Sequence, residues 1–525
     1  MENYQAKILW IDDEIDLLKP YIILLKQRGY FIETATNGED AIELAKAQHF
    51  NLIFLDETMV GMTGLETLPI LKQIDPSTPI VMVTKNEAEA VMESAIGSKI
   101  DDYLTKPVNP AQIIMACKKF LDKGRISEAK FTQDYFAGFN EISRSLNERM
   151  DWDEWVELYK KLTDWSIELD RLSESGLKQT LFDQWREANA VFSKYVERDY
   201  KSWLVNNLDE ADPVLSPHVL DKYVLPLLKA NEKVFLIVVD CMRLDQWKVM
   251  AEELSHFYSI DTNHYCSILP TSTQYARNSL FSGLYPADIK KHYPQWWVAE
   301  TNTEEAKLNA YECEMLTAWT ERRRLKLKNA PQYVKIYDTD FGAKIEREID
   351  NYSGNQLTAM VINAVDMIAH SRSDHAVLKE IAPDESAYRS LTKSWFHHSS
   401  LFGILKQLSK RKDLKVVITT DHGSIRCMRG VKVLGDRDTS TNLRYKFGKN
   451  VKAESRYAIQ LANPEEFRLP SHGITVNNII AKEDYYFVYP TDYHHFLNKY
   501  RDSFQHGGIS MDEMIIPVAV LNPHK

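Results

Sequence analysis

The sequence is poor in cysteine and has no long apolar run. Its five cysteines are widely spaced and include no C-x-x-C pair, which argues against a disulfide framework and against a structural zinc held by cysteines. No apolar run reaches about 18 residues, and the opening MENYQAKILW contains no apolar signal core. We therefore expect a soluble protein of the reducing cytoplasm, with no membrane insertion.

Basic residues are also fewer than acidic residues. The chain carries 64 Lys and Arg residues against 75 Asp and Glu residues, which gives a formal net charge of -11. This total argues against a nucleic-acid coat protein, although it is compatible with a local basic patch. The length of 525 residues, 44% of them hydrophobic, is enough for about three domains with separate apolar cores.

Hydrophobic patterning predicts a multidomain α/β protein. Residues 1–122 alternate short apolar runs with segments of helical spacing, which is typical of a doubly wound parallel sheet with helices on both faces. Residues 123–225 lack such runs and place tryptophans at heptad-like positions, which predicts a helical bundle. Residues 230–525 return to β-branched runs between helical segments, so we expect a second α/β domain there.

Polar side chains stand where the predicted N-terminal strands end. Asp12 and Asp13 follow the first strand, Asp56 ends the third, Thr84 ends the fourth, and Lys106 follows the fifth. Because the carboxyl ends of parallel strands meet at one edge of a sheet, these groups should share one crevice. Clustered carboxylates imply a divalent cation, and oxygen ligands suit Mg²⁺. A helix cap would explain the first two aspartates alone, but not the whole pattern.

The strand-end pattern resembles the receiver domains of two-component systems over the whole of residues 1–122. The resemblance implies phosphorylation by a sensor histidine kinase, followed by a change in dimerisation or docking. It gives each side chain a role: phosphoacceptor (Asp56), Mg²⁺ ligands (Asp12, Asp13 and Asp56), switch residues (Thr84 and Tyr103) and phosphate contact (Lys106).

Aspartates and histidines recur at strand ends, at turns and on one helical face of the C-terminal region. This nitrogen and oxygen ligand set suits Zn²⁺, with Mn²⁺ as an alternative. Two sites can be built from it, and Thr271 would be the fourth ligand of the second. The candidate ligands are Asp366, His370 and His506 for the first site, and Asp240, Asp421 and His422 for the second.

Thr271 is the predicted nucleophile. It precedes a segment in which a helix is expected to begin at Ser272, so its hydroxyl should lie at a helix N-terminus that favours an oxyanion. Two metal ions about 4 Å apart would clamp the oxygens of an in-line phosphoryl transfer. Each candidate residue also has a simpler interpretation as a turn, a surface ion pair or an N-cap. Their joint order along the chain favours the catalytic interpretation.

The order Asp240, Thr271, Asp366-x-x-x-His370, Asp421-His422-Gly423 and His506 resembles the alkaline phosphatase superfamily, in particular its phosphodiesterase branch. The segment VVDCMR at 238–243 resembles the PglZ-type members of that superfamily. The resemblance implies a zinc-dependent phosphodiesterase with one or two Zn²⁺ ions and a threonine nucleophile.

The sequence leaves the substrate open. Arg243 lies close after Asp240 and could contact a substrate phosphate, or it could equally pair with Asp245. The basic and aromatic residues between 425 and 455 could line a cleft for a linear or cyclic oligonucleotide, or they could form an ordinary surface loop. A phosphomonoester substrate is also compatible with the sequence.

The full domain order resembles PorX-type response regulators, which are associated with the type IX secretion system of Bacteroidota. The resemblance implies a homodimer on phosphorylation and regulatory contact with an extracytoplasmic-function sigma factor or with secretion-system components. The alternative is a non-enzymatic response regulator that holds zinc for structure and acts through protein contacts. A DNA-binding regulator is disfavoured, because the chain is acidic and shows no helix-turn-helix signature.

Overall fold

A computed structural model describes residues 6–84, 100–170, 175–205, 212–298, 308–374, 376–435, 440, 442–471, 473, 476–491 and 493–524. The chain divides into two compact units, Met1–Gly138 and Phe139–Lys525. Among the described helices, none has the length and apolar character needed to cross a membrane.

The first unit contains a five-stranded parallel sheet. Its strands are β1 (Ala6–Ile11), β2 (Tyr30–Ala35), β3 (Leu52–Asp56), β4 (Ile80–Thr84) and β5 (Asp102–Thr105), in the order β2-β1-β3-β4-β5. Successive residues of β1 face two different apolar cores, Ile8 and Trp10 one core and Leu9 and Ile11 the other. A strand buried on both faces is apolar throughout, which explains the continuous runs in the sequence. The predicted doubly wound parallel sheet is confirmed.

Helices connect these strands. The helix Gly64–Ile74 begins with a capping box, in which Thr63 Oγ1 accepts from Glu66 N at 3.3 Å and Glu66 Oε2 accepts from Thr63 N at 2.9 Å. The amphipathic segment Val91–Ala95, expected to be helical, lies outside the described residues. The helices of this unit are Lys19–Gln27, Gly38–Ala47, Gly64–Ile74 and Pro110–Cys117, with a 3-10 turn at Ile15–Leu18 and a π-helical turn at Lys118–Asp122.

Long helices follow, as predicted for the middle of the chain. Aromatic rings fill the space between the last two: the Trp155 and Phe192 ring centroids are 5.2 Å apart, in an edge-on arrangement. Trp185 Nε1 donates to Asp512 Oδ2 at 3.1 Å, so this bundle packs on the C-terminal region within the same unit. The helices are Lys123–Ser145, Trp152–Asp170 and Ser175–Trp203.

A six-stranded mixed sheet forms the centre of the second unit. It runs β7-β18-β10-β6-β9-β8, and β10, β6, β9 and β8 are mutually parallel, while β18 is antiparallel to both of its neighbours. The second α/β domain is confirmed. The strands of this unit are β6 (Lys233–Val239), β7 (Tyr258–Cys266), β8 (Gln332–Ile336), β9 (Leu357–Ile362), β10 (Leu414–Thr419), β11 (Ile425–Cys427), β12 (Arg429–Lys432), β13 (Tyr445–Lys449), β14 (Ala458–Leu461), β15 (Val476–Ala481), β16 (Tyr485–Val488), β17 (Ser503–Gln505) and β18 (Ile515–Pro523).

Helices and three small sheets surround this central sheet. The small sheets pair β11 with β17, β12 with β16, and β13 with β15 and β14. The helices are Leu225–Lys229, Leu244–Leu254, Thr273–Ser282, Pro286–His292, Glu312–Arg322, Thr339–Arg347, Ile349–Ser353, Ala364–Asp374, Ala376–Ile381, Glu385–His398, Ser400–Leu408, Tyr493–Tyr500 and Met511–Met514. Because β10, β6 and β9 are parallel neighbours, the residues that follow them meet at one edge of the sheet.

Candidate functional site

The first unit holds an acidic pocket at the carboxyl ends of β1, β3 and β5. Lys106 Nζ lies 2.8 Å from Asp12 Oδ2 and 2.9 Å from Asp56 Oδ2. Asp12, Asp13 and Asp56 each offer an oxygen atom, and these three atoms lie within 4.8 Å of one another. Asp12 and Asp56 are buried, whereas Asp13 is exposed to solvent. This arrangement of hard oxygen ligands with one open side suits a magnesium ion that keeps several waters.

Charge in this pocket is only partly compensated. Burial raises the pKa of Asp56 and the charge of Asp12 raises it further, although the Lys106 ammonium acts in the opposite direction. Burial also works against the charge of Lys106, but its hydrogen bonds to both carboxylates outweigh that effect and raise the pKa of the ammonium. A cation would therefore be stabilised beside Asp56.

The two predicted switch residues lie on neighbouring strands. Thr84 ends β4, and its hydroxyl donates to the Glu57 carboxylate. Tyr103 lies on β5 and is 41% exposed. The structure brings Asp12, Asp13, Asp56 and Lys106 together, and sequence reasoning missed Glu57, although it directly follows the acceptor aspartate.

The second unit brings all six candidate metal ligands to one edge of the central sheet. They form two groups, Asp240, Asp421 and His422, and Asp366, His370 and His506, and within each group the ligand atoms lie within 4.8 Å of one another. The His422 and His506 rings stack with centroids 4.3 Å apart. The two groups therefore adjoin, which is the arrangement that a two-metal site needs.

In the first of these groups, each carboxylate has one oxygen engaged by protein. Asp240 Oδ2 lies 2.6 Å from Arg277 Nη1 and accepts from Asn363 Nδ2 at 3.1 Å. Asp421 Oδ1 accepts from Cys241 N at 3.4 Å. The remaining oxygens, Asp240 Oδ1 and Asp421 Oδ2, are buried and have no hydrogen-bond partner among the described residues.

Those two oxygens face the same imidazole nitrogen. His422 Nε2 lies 4.0 Å from Asp240 Oδ1 and 3.6 Å from Asp421 Oδ2. In a tetrahedral zinc site with bonds of about 2.0–2.1 Å, ligand atoms are roughly 3.3–3.4 Å apart. The three ligands therefore fit a zinc ion after small side-chain adjustments, and they explain why buried carboxylate oxygens are left without donors.

Electrostatics agrees with this fit. Burial and neighbouring carboxylates raise the pKa of Asp240 and of Asp421, against the opposing charge of Arg277. Burial lowers the pKa of His422, which favours the neutral imidazole that a metal ligand requires. Its Nδ1 lies 3.1 Å from the Gly423 carbonyl oxygen, which directs the lone pair of Nε2 toward the carboxylates.

The second group is more open and contains two imidazoles. Asp366 Oδ1 lies 3.3 Å from His370 Nε2 and 3.8 Å from His506 Nε2. Burial raises the pKa of Asp366, but these imidazoles outweigh that effect and lower it overall. The His370 side chain is 39% exposed, although its Nε2 and Asp366 Oδ1 are themselves buried.

Two threonines near the site have different partners. Thr271 Oγ1 donates to the Gly508 carbonyl at 2.8 Å and accepts from Gly507 N at 3.1 Å. Thr273 is the first residue of the helix Thr273–Ser282, and its Oγ1 lies 3.1 Å from His422 Nε2. The predicted helix start at Ser272 is corrected by one residue, because Ser272 is the N-cap.

The backbone of Thr271 nevertheless contacts the site. His506 Nδ1 lies 3.3 Å from the Thr271 carbonyl oxygen, an arrangement that orients the ring and leaves Nε2 facing Asp366. Thr271 therefore contacts the Nδ1 side of the His506 ring, which faces away from Asp366, whereas Thr273 contacts Nε2 of His422.

Arg243 pairs with Asp245, which is one of the two alternatives that the sequence left open. Its Nε and Nη2 donate to the Asp245 carboxylate at 3.0 and 2.6 Å, and Nη2 also lies 2.5 Å from Glu385 Oε2. The guanidinium is buried and stacks over the Phe504 ring at 5.0 Å. These contacts make Arg243 part of a buried ion-pair network.

Most of the arginines of the predicted basic loop also have acidic partners. Arg426 pairs with Asp502, and Arg429 pairs with Asp484. Arg444 is buried and lies 2.5 Å from Glu513 Oε2. Arg437 lies outside the described residues. The arginines that could attract an anionic substrate are therefore largely neutralised.

Sequence reasoning missed four residues at the site. Asn363 directly follows β9, so the strand-end rule that identified Asp240 could have found it. Thr273 carried the same signal as Thr271, a hydroxyl at a helix start. Arg277 and Glu312 carry no signal in the sequence, because their contacts join distant segments.

Three family models match the chain in succession. They are a response regulator receiver domain at residues 8–118, the PorX response regulator linker domain at 125–204, and the BREX system PglZ alkaline phosphatase-like domain at 219–521. The last of these spans more than half of the chain. The chain belongs to the PglZ family. The three models in this order match a PorX-type response regulator, as the domain order of the sequence predicted.

Curated relatives resemble the N-terminal part of this PglZ family member. The transcriptional regulatory protein ZraR of Klebsiella oxytoca is 31% identical over 145 residues, which cover 28% of this chain and 33% of the relative. The transcriptional regulatory protein ResD of Bacillus subtilis is 32% identical over 120 residues, which cover 23% of this chain and 50% of the relative. The chain thus spans a third to a half of the length of these relatives.

Solved structures also match this part of the chain. The chemotaxis protein CheY4 of Vibrio cholerae is 29% identical and covers 22% of this chain and 98% of its own, with a TM-score of 0.21. A two-component response regulator from Clostridium difficile is 29% identical and covers 22% of this chain and 97% of its own, with a TM-score of 0.22.

Proposed function

We propose that this response regulator is a phosphodiesterase that depends on zinc, with Thr273 as its nucleophile. The observation that carries the proposal is the position of Thr273 Oγ1, buried at a helix start and 3.1 Å from His422 Nε2. His422 belongs to one of two adjoining groups of candidate metal ligands. Metal ions in those groups, with Mn²⁺ as an alternative to Zn²⁺, would polarise the phosphoryl oxygens and favour the alkoxide.

The residues of the chain define the reaction. Thr273 Oγ1 attacks phosphorus, the bond from phosphorus to the leaving alcohol breaks, and the proton that the Thr273 hydroxyl loses ends on the oxygen of the leaving alcohol. Water then hydrolyses the phosphothreonine ester and restores the hydroxyl. The positive end of the helix dipole at Thr273 favours the negative charge that develops on these oxygens.

This proposal replaces Thr271 with Thr273 as the nucleophile. The Thr271 hydroxyl is engaged by the backbone of Gly507 and Gly508, whereas the Thr273 hydroxyl faces a candidate metal ligand. Thr271 becomes a positioning residue, which holds the turn that carries His506. Arg243 becomes a structural residue rather than a substrate contact, because its donors are directed at Asp245 and Glu385.

The proposed substrate class is a phosphodiester, which includes linear and cyclic oligonucleotides. The phosphodiesterase-like order of the site residues supports a diester, and the paired arginines of the 425–455 region argue against recognition by a basic loop alone. A phosphomonoester is the alternative that the assay must compare.

The receiver supplies the proposed control. We infer that a sensor histidine kinase provides the phosphoryl group, that Asp56 accepts it with Mg²⁺ held by Asp12 and Asp13, and that phosphorylation promotes a homodimer. By the same resemblance we propose a cytoplasmic regulator of type IX secretion, which contacts a sigma factor or secretion-system components. Its proposed domains are 1–122, 123–225 and 230–525.

Hydrolysis of bis(p-nitrophenyl) phosphate tests the proposed activity. Full-length protein loaded with Zn²⁺ should release p-nitrophenol, lose activity after chelation and regain it on return of Zn²⁺ or Mn²⁺. The corresponding monoester, p-nitrophenyl phosphate, should react more slowly.

The alternative function is a non-enzymatic regulator with structural zinc. Structural zinc sites are closed by four protein ligands, whereas among the described residues each of the two groups offers three candidate ligands. Protein that binds zinc fully but turns over neither ester would favour the alternative and contradict the phosphodiesterase.

A further inference from the structure

A buried guanidinium lies against one of the two ligand groups and not against the other. Arg277 is one helical turn after Thr273, its side chain is 2% exposed, and its Nη1 lies 2.6 Å from Asp240 Oδ2 and 3.9 Å from Asp421 Oδ2. An arginine keeps its charge at any physiological pH. The group of Asp240, Asp421 and His422 therefore contains a permanent positive charge before any metal ion binds.

A second buried carboxylate holds this guanidinium in place. Arg277 Nε lies 2.6 Å from Glu312 Oε1. Glu312 is itself fully buried, accepts from the Tyr333 hydroxyl, and lies 3.7 Å from Lys335 Nζ. Because Glu312 binds the Nε side of the Arg277 guanidinium, this ion pair holds the guanidinium beside Asp240 when a metal ion binds.

The group of Asp366, His370 and His506 has a different environment. Within the described part of the chain, the ion pairs of Asp366 are with His370 and His506, which are themselves candidate ligands. The His370 side chain is 39% exposed, whereas Asp240, Asp421 and His422 are almost completely buried. Among the described residues, no arginine or lysine forms an ion pair with the carboxylate of this second group.

Two opposite effects follow from the Arg277 charge. Without metal, the guanidinium compensates two buried carboxylates that would otherwise repel each other. With metal, it repels a divalent cation held by the same carboxylates at short range and low dielectric. The charge therefore stabilises the metal-free protein and weakens metal binding at this group.

We infer that Arg277 is a built-in counter-ion that makes the group of Asp240, Asp421 and His422 the weaker of two metal sites, so that the chain loads its metal ions in order. The group of Asp366, His370 and His506 fills first. The second ion completes the site beside Thr273. Activity therefore requires the zinc concentration at which this weaker site is filled. This inference rests on the proposed metal centre.

Zinc titration of the full-length protein tests it. Metal-free protein is titrated with Zn²⁺ in competition with a chromophoric chelator, which gives a binding constant for each event. Wild type should show two constants that differ by at least about tenfold. Asp366→Asn should remove the tighter event and Asp421→Asn the weaker one.

Variants of Arg277 isolate the charge. Arg277→Met should tighten the weaker event by about tenfold or more and leave the tighter event unchanged. Arg277→Lys, which keeps the charge, should retain two separate constants. The double variant Arg277→Met with Glu312→Gln removes both members of the buried pair, and should show the same tightening if the single variant folds poorly.

Thermal unfolding gives a second readout that does not depend on activity. Arg277→Met should lower the melting temperature of the metal-free protein more than that of the zinc-loaded protein, because bound zinc compensates the same carboxylates. Equal constants for the two events in wild type, or a weaker event that Arg277→Met leaves unchanged, would overturn the inference alone. Absence of any zinc binding by wild type would overturn the proposed function as well.

Discussion

Thr271 and Thr273 lie on either side of Ser272, and their hydroxyls point at different parts of the site. The Thr271 hydroxyl donates to the Gly508 carbonyl oxygen, has Glu513 Oε1 at 3.5 Å, and accepts from Gly507 N. The Thr273 hydroxyl faces His422. A nucleophile must lie within reach of the reacting phosphorus, so the position of each hydroxyl relative to the metal ligands distinguishes two chemically identical side chains.

Substitution of these two threonines should separate their roles. We expect Thr273→Ala to lower kcat on the aryl diester by at least about 1,000-fold, because the attacking atom is removed. Thr273→Ser, which keeps a hydroxyl, should retain measurable activity. Thr271→Val should cost about 10–100-fold, since it loosens the turn that orients His506. Steady-state kinetics on zinc-loaded protein measures all three.

The opposite ranking would return the role to Thr271. An active Thr273→Ala together with an inactive Thr271→Ser would contradict the assignment. Matched zinc contents across the variants exclude loss of metal as the cause.

Glycine in the Asp421-His422-Gly423 turn also has a physical reason. A Cβ on Gly423 would lie 1.9 Å from the Asp512 carbonyl oxygen. Only glycine at this position lets the backbone of Asp512 pack directly on the turn that carries His422. The sequence pattern contained the glycine, but the neighbour that requires it lies far along the chain.

At the scale of elements, strand ends were the most informative part of the sequence. β6 and β10 end directly before Asp240 and the Thr420-Asp421 pair, and their apolar runs located them within a few residues. The parallel order of β10, β6 and β9 then brings distant ligands together. Strand ends could be predicted because burial on both faces demands continuous apolar residues.

The sequence defined helix boundaries less well than strand ends. The choice of nucleophile depended on one such boundary, the start of the helix that follows Thr271. The sequence placed a helix start at Ser272, and the structure has Ser272 as the N-cap and Thr273 as the first helical residue. Serine and threonine are common in both places, so local preference cannot choose between adjacent positions. The same limit applies to Arg243, whose two possible partners the sequence could not rank.

Contacts between distant elements could not be predicted at all. Arg277 and Glu312 meet because the helices Thr273–Ser282 and Glu312–Arg322 pack together. Neither helix contains a sequence pattern that predicts a buried ion pair. The same is true of Arg444 and Glu513, which are both fully buried and hold Gly508 between them.

At the scale of the whole molecule, the first compact unit contains the proposed phosphoacceptor pocket and the second contains the proposed metal centre. Each has its own ligands and its own charge balance. The proposed regulation is a change in assembly or in protein contacts on phosphorylation of Asp56.

Phosphorylation of the receiver can be measured without the hydrolase. Wild-type protein incubated with acetyl phosphate and Mg²⁺ should take up one phosphoryl group and shift toward the dimer, because Asp56 is the carboxylate beside Lys106 and the cation ligands. Asp56→Asn should do neither. Glu43→Gln, which alters an exposed carboxylate of the same unit, is the matched control and should behave as wild type. Mass spectrometry and light scattering give the two readouts, and phosphate uptake by Asp56→Asn would contradict the assignment.

The zinc content of the purified full-length protein is the most direct measure of the central claim. After equilibration with Zn²⁺ and removal of the excess, inductively coupled plasma mass spectrometry should find one ion for each of the two ligand groups. Asp366→Asn and Asp421→Asn should each lose one ion, and Asp56→Asn should retain the wild-type content. A wild type that retains no zinc, or ligand variants with unchanged zinc content, would contradict the account.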